Sequence, residues 1–140
     1  MITGSITDGG YFVEATVRTN LNSQPAALTF LVDSGASITA IHPADIPKLA
    51  IPQAVLWESE TVEINGIGGG SIYRLIPGTL TFHDDASETP LRYTTTLYVA
   101  DLTDDNADIP SLLGRDILNY WRTWQVDVDS GVIGFTVARP

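Results

Sequence analysis

The sequence predicts a mostly β domain with one helix near its C-terminal end. Three observations carry this. Tyr11 to Arg18 alternates by two, as a half-buried strand does. Ala27 to Val32 is a compact apolar run that stops at an acid, Asp33. Asp129-Ser130-Gly131 stands between two strand-like runs, Gln125 to Val128 and Val132 to Val137, which is a hairpin signal.

The other elements follow in order. Asn20 to Pro25 is turn chemistry. Ser37 to Ile41 is rich in β-branched residues and reads as extended. Pro43 can open a short helix through Leu49. Glu60 to Asn65 and Ser71 to Leu75 read as strands around a glycine-rich tip. Thr79 to Phe82 and Leu91 to Val99 form another strand pair, joined by a polar loop from His83 to Pro90. Asp101 to Asp108 is an acidic loop. Leu113 to Trp121 has helical spacing, with Leu113, Ile117, Leu118 and Trp121 on one face.

Composition narrows the function classes. At 140 residues the chain fits one domain, 1–140, with a real core. It is 44% hydrophobic and 17% charged, which favours a globular fold over disorder. Acidic residues outnumber basic ones 17 to 7, for a formal charge of −10. That field repels phosphate backbones and anionic membrane surfaces, so neither nucleic acid nor membrane is an expected partner. There is no cysteine, hence no disulfide, thiolate chemistry or Cys-ligated metal. No apolar run reaches membrane-spanning length, and Met1 to Tyr11 lacks the pattern of a signal peptide. A cytoplasmic protein is expected.

Three segments could carry chemistry. The first is Leu31-Val32-Asp33-Ser34-Gly35-Ala36. An acid directly after a buried strand is costly unless paired, hydrogen-bonded or protonated. Ser34 offers a hydroxyl, and Gly35 lets backbone approach closely. Taken alone, the triplet reads as a turn closing a strand. The second is Asn65-Gly66-Ile67-Gly68-Gly69-Gly70-Ser71. It suits a lid that closes over a substrate and equally a plain flexible hairpin. It lacks the Lys of a phosphate-binding loop, and Ser71 stands where a dinucleotide fingerprint needs its third Gly. The third is Leu112-Leu113-Gly114-Arg115-Asp116, where Gly114 marks a strand-to-helix junction and Asp116 falls in a helix's first turn.

Other chemistries fall away. The two histidines, His42 and His83, are too few for a His-rich metal site, and both read as solvated. The acidic cluster Asp101, Asp104, Asp105 and Asp108 misses the EF-hand spacing and reads as a solvated loop.

In this order and spacing, the three segments together resemble the retropepsins, the retroviral-type aspartic peptidases. Asp33-Ser34-Gly35-Ala36 matches their catalytic loop, Gly66-Ile67-Gly68-Gly69 their flap tip, and Leu112 to Asp116 the start of their terminal helix. The resemblance spans roughly residues 11 to 137. It implies an all-β, closed, barrel-like fold with a glycine-rich flap hairpin and one short C-terminal helix. It also implies a homodimer, since only one Asp-Ser-Gly, Asp33-Ser34-Gly35, stands in the catalytic-loop pattern, the other, Asp129-Ser130-Gly131, being the hairpin turn. Asp33, Ser34 and Gly35 would form the catalytic loop. Leu31, Ala36, Pro110 and Leu112 would line side-chain pockets, with Gly66, Ile67 and Gly68 lying over a peptide substrate. No metal and no organic cofactor is implied. Two features depart from the viral pattern. Ser37 stands where viral enzymes carry an acid that binds the helix-segment Arg, so Arg115 needs another partner, either Asp116 or a backbone carbonyl. The hairpin from Gln125 to Val137 is also longer than in viral enzymes. The rival functions are a non-catalytic peptide-binding module and a structural dimerisation domain.

Overall fold

The computed structural model describes residues 1–22, 24–66 and 69–137. Among the described residues ten strands carry the architecture: β1 Ile2–Thr7, β2 Gly10–Thr19, β3 Ala26–Val32, β4 Ala40–Ile41, β5 Thr61–Gly66, β6 Gly69–Phe82, β7 Leu91–Ala100, β8 Leu112–Leu113, β9 Trp121–Asp127 and β10 Val132–Val137. A 3₁₀ turn spans Pro43–Leu49, and the two short helices are α1 Gln53–Trp57 and α2 Arg115–Leu118. The fold is all-β.

The strands pair in the order β5-β6-β7-β4-β8-β3-β2-β1-β10-β9, and β6 pairs again with β2. That second pairing closes the strands from β2 through β3, β8, β4, β7 and β6 into a ring, which meets the expectation of a closed sheet. It works because β2 and β6 each divide an edge between two partners. Ser5–Thr7 of β1 take the start of β2, while Gly78 to Thr81 of β6 take its end. On β6, Gly69 to Arg74 pair with β5 and Gly78 to Thr81 with β2.

This also explains Pro77, where the sequence reading broke the strand in two. The Leu75 N–H donates to the Glu60 carbonyl at 2.8 Å, on the β5 side. Strand N–H groups alternate in direction, so the Pro77 nitrogen lies on that same edge, in the gap between β5 and β2. No ladder bond is lost there, and β6 runs on unbroken.

Period-two alternation sends one face of the ring inward, burying Val13, Ala15 and Val17 of β2, Leu28 and Phe30 of β3, and Leu80 and Phe82 of β6, and Ile133 and Phe135 of β10 outside the ring are buried as well. Each such side chain contributes on the order of 1–3 kcal/mol by leaving water. The Trp121 ring meets Phe82 edge-on at 5.0 Å and Phe135 at 4.6 Å, so the C-terminal hairpin is fastened to the ring through aromatics.

Two sequence expectations change here. The residues Ser37 to Ile41 suggest an extended segment, but only Ala40–Ile41 is strand. β8 enters between β3 and β4, so the chain leaving β3 must swing out to make room. Leu113 to Trp121 was read as one helix. All four apolar residues are buried as that reading requires, but Leu113 lies in β8, Trp121 opens β9, and helix covers only Arg115–Leu118. Strand, one helical turn and strand satisfy the same spacing. β1 and α1 were not anticipated. Among the described residues no helix is long and apolar enough to cross a membrane.

Candidate active site

Asp33 follows directly on β3. Parallel pairing places Leu31 opposite Leu112 and Val32 opposite Leu113. The ladder continues past the strand, with Leu31 N–H donating to the Ser111 carbonyl at 2.8 Å and Asp33 N–H to the Leu113 carbonyl at 3.0 Å. The Asp33 backbone is therefore held by β8, while its carboxylate stands beyond the sheet. That side chain is half-buried, and Ser34 and Gly35 are exposed. Gly35 N–H donates to Asp33 Oδ1 at 2.9 Å, and Ala36 N–H to the Asp33 carbonyl at 3.2 Å. The triplet is thus the turn its composition suggested, folded so that its own backbone orients the carboxylate.

The third segment braces this turn from behind. Arg115 N–H donates to the Ala36 carbonyl at 2.8 Å, and Arg115 Nη1 donates to the Ser34 carbonyl at 2.7 Å. Of the two partners considered for Arg115, the structure takes the backbone carbonyl. Asp116 has its own role, accepting from Thr39 N–H at 2.9 Å and from the Thr39 hydroxyl at 2.6 Å. Gly114 N–H donates to Thr39 Oγ1 at 3.1 Å. Gly114 is needed because a Cβ there would overlap the Ile38 backbone carbonyl. Thr39, fully buried between Ile38 and Ala40, is a site residue that the sequence analysis does not single out.

The structure thus brings Asp33, Ser34, Gly35, Ala36, Leu31 and Leu112 to one end of β3 and β8. Pro110 stands just before Ser111, and Leu31, Ala36, Pro110 and Leu112 are all half-buried. Gly66 stands at the end of the separate β5–β6 hairpin, registered against Gly69. Ile67 and Gly68 lie outside the described residues. Recesses of about 510 and 370 Å³ are found elsewhere, the first against Met1, Gln125 and Gly134, the second against Ile46, Trp57 and Leu102. The Asp33 turn itself sits on an open face.

His42 corrects the sequence reading. It is buried, at 5% exposure, where solvation was expected. Its Nδ1 lies 2.8 Å from the Pro110 carbonyl, and its N–H donates to Ser111 Oγ at 3.0 Å. Ser111 in turn donates to Asp45 Oδ2 at 2.6 Å, and Lys48 Nζ to Asp45 Oδ1 at 3.0 Å. Burial pushes the His42 pKa below its ordinary value, partly offset by the Pro110 carbonyl and the Asp45 charge. Burial raises Asp45, but the Ser111 and Lys48 hydrogen bonds outweigh it and hold the carboxyl below the usual range. The Ser111 hydroxyl is directed at Asp45 and not at the His42 ring, so these three residues do not form a nucleophilic triad. Among the described residues no group of His, Asp or Glu is arranged to hold a metal.

An all-β ring carrying Asp-Ser-Gly at a strand end, braced by Gly114, Arg115 and Asp116, is the architecture of a retropepsin-like domain. The chain belongs to the retroviral aspartyl protease family, whose sequence profile matches residues 13–124. It is similar in fold to a retropepsin-like aspartic protease from Rickettsia conorii, with TM-score 0.59 and 20% identity over 96% of this chain and 88% of that one. EIAV protease in complex with an inhibitor aligns at TM-score 0.47 and 21% identity, over 80% of this chain and 88% of its own. Among curated proteins the sequence has no match.

Proposed function

We propose that residues 1–140 form one subunit of a homodimeric aspartic endopeptidase, active in the cytoplasm, in which Asp33 from each of two copies shares the work of peptide hydrolysis. The observation that carries this reading is the Asp33 turn. Its carboxylate is oriented by Gly35 N–H, backed by β8 and Arg115, and presented on an open face.

One carboxylate supplies half of the chemistry. Two close carboxylates share one proton, as is general for aspartic-protease dyads. The ionised member takes a proton from a water whose oxygen attacks the scissile carbonyl, while the protonated member donates to the carbonyl oxygen. Collapse of the resulting diol breaks the C–N bond and passes the proton to the leaving amine. Asp33 Oδ2 and the Ser34 hydroxyl have no partner among the described residues, which leaves both available to a second copy. Leu31, Ala36, Pro110 and Leu112 would shape the side-chain pockets, with the Gly66-Ile67-Gly68 tip over the peptide.

The sheet also offers a surface for that second copy. β9 is a terminal strand, exposed from Arg122 to Asp127, with Trp124 at 42% and Val126 at 44% exposure. An uncovered apolar edge invites strand pairing. Antiparallel pairing of two β9 strands about Gln125 sets Trp124 of each copy opposite Val126 of the other. α2, whose Arg115 holds the Ser34 carbonyl, leads directly into this strand.

The test is cleavage of a random peptide library by wild type and Asp33→Asn in parallel, repeated on dilution. Loss of the water-activating base should lower turnover by at least about 10³ with the fold intact. Wild-type specific activity should fall as the dimer dissociates. Larger residual activity in the variant sinks the assignment of Asp33. Constant specific activity from a species that scatters light as a monomer sinks the dimer. Wild type that binds extended peptides and cleaves none would leave a non-catalytic peptide-binding module instead.

A further inference from the structure

We propose that Arg74 is a positioning residue that clasps the base of the β5–β6 hairpin to the acidic loop leading to Pro110, so that flap and pocket wall are placed as one unit. The inference rests on the peptidase reading above and adds a residue to that site.

Arg74 lies on β6 opposite Thr61 of β5 and Val99 of β7, where the hairpin leaves the ring. It is buried, at 7% exposure, which is unusual for a residue whose charge prefers water. Its fork is used on three sides. Nε and Nη2 donate to the two oxygens of Asp101 at 2.8 and 3.1 Å. Nη1 donates to the Trp57 carbonyl at the end of α1, at 3.0 Å. The guanidinium carbon lies 4.8 Å from the Trp57 ring centre. A planar bidentate fork fixes orientation as well as distance, which a lysine cannot reproduce.

The Asp101 side of the clasp leads on to the pocket wall. Asp101 N–H donates to the Ile72 carbonyl of β6 at 3.0 Å. The Asp101 carbonyl accepts from Asn106 Nδ2 at 2.8 Å, and Asn106 Oδ1 accepts from Thr103 N–H at 2.8 Å. Ile109 N–H donates to the Asn106 carbonyl at 3.4 Å, one residue before Pro110. Bonds therefore run from the hairpin base through Asp101 and the buried Asn106 to the residue next to Pro110. The acidic loop that the sequence presents as solvent-facing is knit inward at both of these residues. A buried ion pair need not add stability, so a role in placing two segments accounts for the charge better than stability does.

The experiment compares wild type with Arg74→Lys, Asp101→Asn and the double variant, with the exposed Arg92→Met as a charge-loss control. Peptide KM should rise by about tenfold in each single variant, with kcat changing much less, because the binding elements are misplaced while the Asp33 turn is untouched. The double variant should be no worse than either single one. Amide exchange should quicken together in the β5–β6 hairpin and in residues 102–109, and Arg92→Met should change neither. If Arg74→Lys does not fold, Asp101→Asn carries the same readouts alone. A lowered melting temperature with unchanged KM and exchange confined to one segment overturns the proposal, as does additivity in the double variant. If wild type cleaves nothing, the peptidase reading fails, and the exchange pattern alone decides the clasp.

Discussion

Two polar clusters flank the two-residue strand β8, and they are built in opposite ways. On the Ser111 side, His42, Asp45 and Ser111 are buried, and their hydrogen bonds are met by one another, by Lys48 or by the Pro110 carbonyl. On the Gly114 side, Asp33 is half-buried, Ser34 is exposed, and Asp33 has one oxygen with a partner and one without among the described residues. Buried polar groups must be satisfied within the chain or destabilise it. The open cluster escapes that rule only because solvent, or a second molecule, can supply what it lacks. The closed cluster places the strand, and the open one holds unused hydrogen-bonding capacity at its end.

The comparison can be broken most sharply at two glycines. At Gly114 a Cβ would overlap the backbone carbonyl of Ile38, and backbone cannot step aside as a side chain can. Gly114→Ala should destabilise by more than about 3 kcal/mol, beyond the usual cost of overpacking. At Gly35 an added Cβ meets only Asp33 Oδ1, at 3.2 Å. Gly35→Ala should change stability by less than about 0.5 kcal/mol, yet lower turnover at least about tenfold by shifting the carboxylate. Urea unfolding and peptide cleavage read the two effects separately. Equal stability losses would mean that the two sides of β8 are not distinct.

The serines offer a smaller contrast. Ser111→Ala leaves an Asp45 oxygen and the His42 N–H without their partner in a closed site, at a cost of about 1–3 kcal/mol. Thermal unfolding should fall by roughly 3–5 °C per kcal/mol for a chain of this size. Ser34→Ala removes a hydroxyl with no partner among the described residues, so subunit stability should move by less than about 0.5 kcal/mol. A clear melting loss in monomeric Ser34→Ala would show that the open side is closed after all.

The two sides were not equally legible in the sequence. The Asp33 turn could be read because its residue types sit close together and in a known order. β2, β3 and the C-terminal hairpin could be read because one buried face imposes period-two alternation. The closed cluster could not, since Ser111 and His42 are 69 positions apart and meet only because β8 enters between β3 and β4. His42 was read as solvated from its neighbour Pro43, which says nothing about what folds over it. β8 and α2 are two and four residues long, too short for any period to show, so the apolar spacing from Leu113 to Trp121 mimics one helix. β1 was missed because glycine, serine and threonine along Ile2–Thr7 weaken the strand signal that its two neighbours supply in space.

The smallest expected effect separates the two sides by pH. His42 has its folded pKa lowered, chiefly by burial. The unfolded chain therefore takes up a proton near the ordinary value of about 6.5, while the folded chain still refuses it. Stability from this group is complete above that value and declines as pH falls, until the folded imidazole also protonates. One proton limits the slope to about 1.4 kcal/mol per pH unit. Asp45, also lowered, loses its contribution in the same direction but only further down, as pH falls below the ordinary carboxylate value. Activity should therefore fall at low pH as the closed cluster loses its contribution to the fold that presents the open side. His42→Asn keeps a donor toward the Pro110 carbonyl and removes the titration. Urea unfolding at pH 7.5 and pH 5 should show wild type losing more stability than His42→Asn, with the exposed His83→Asn following wild type. Parallel losses in wild type and His42→Asn would mean that the closed cluster does not set the acid limit of the fold.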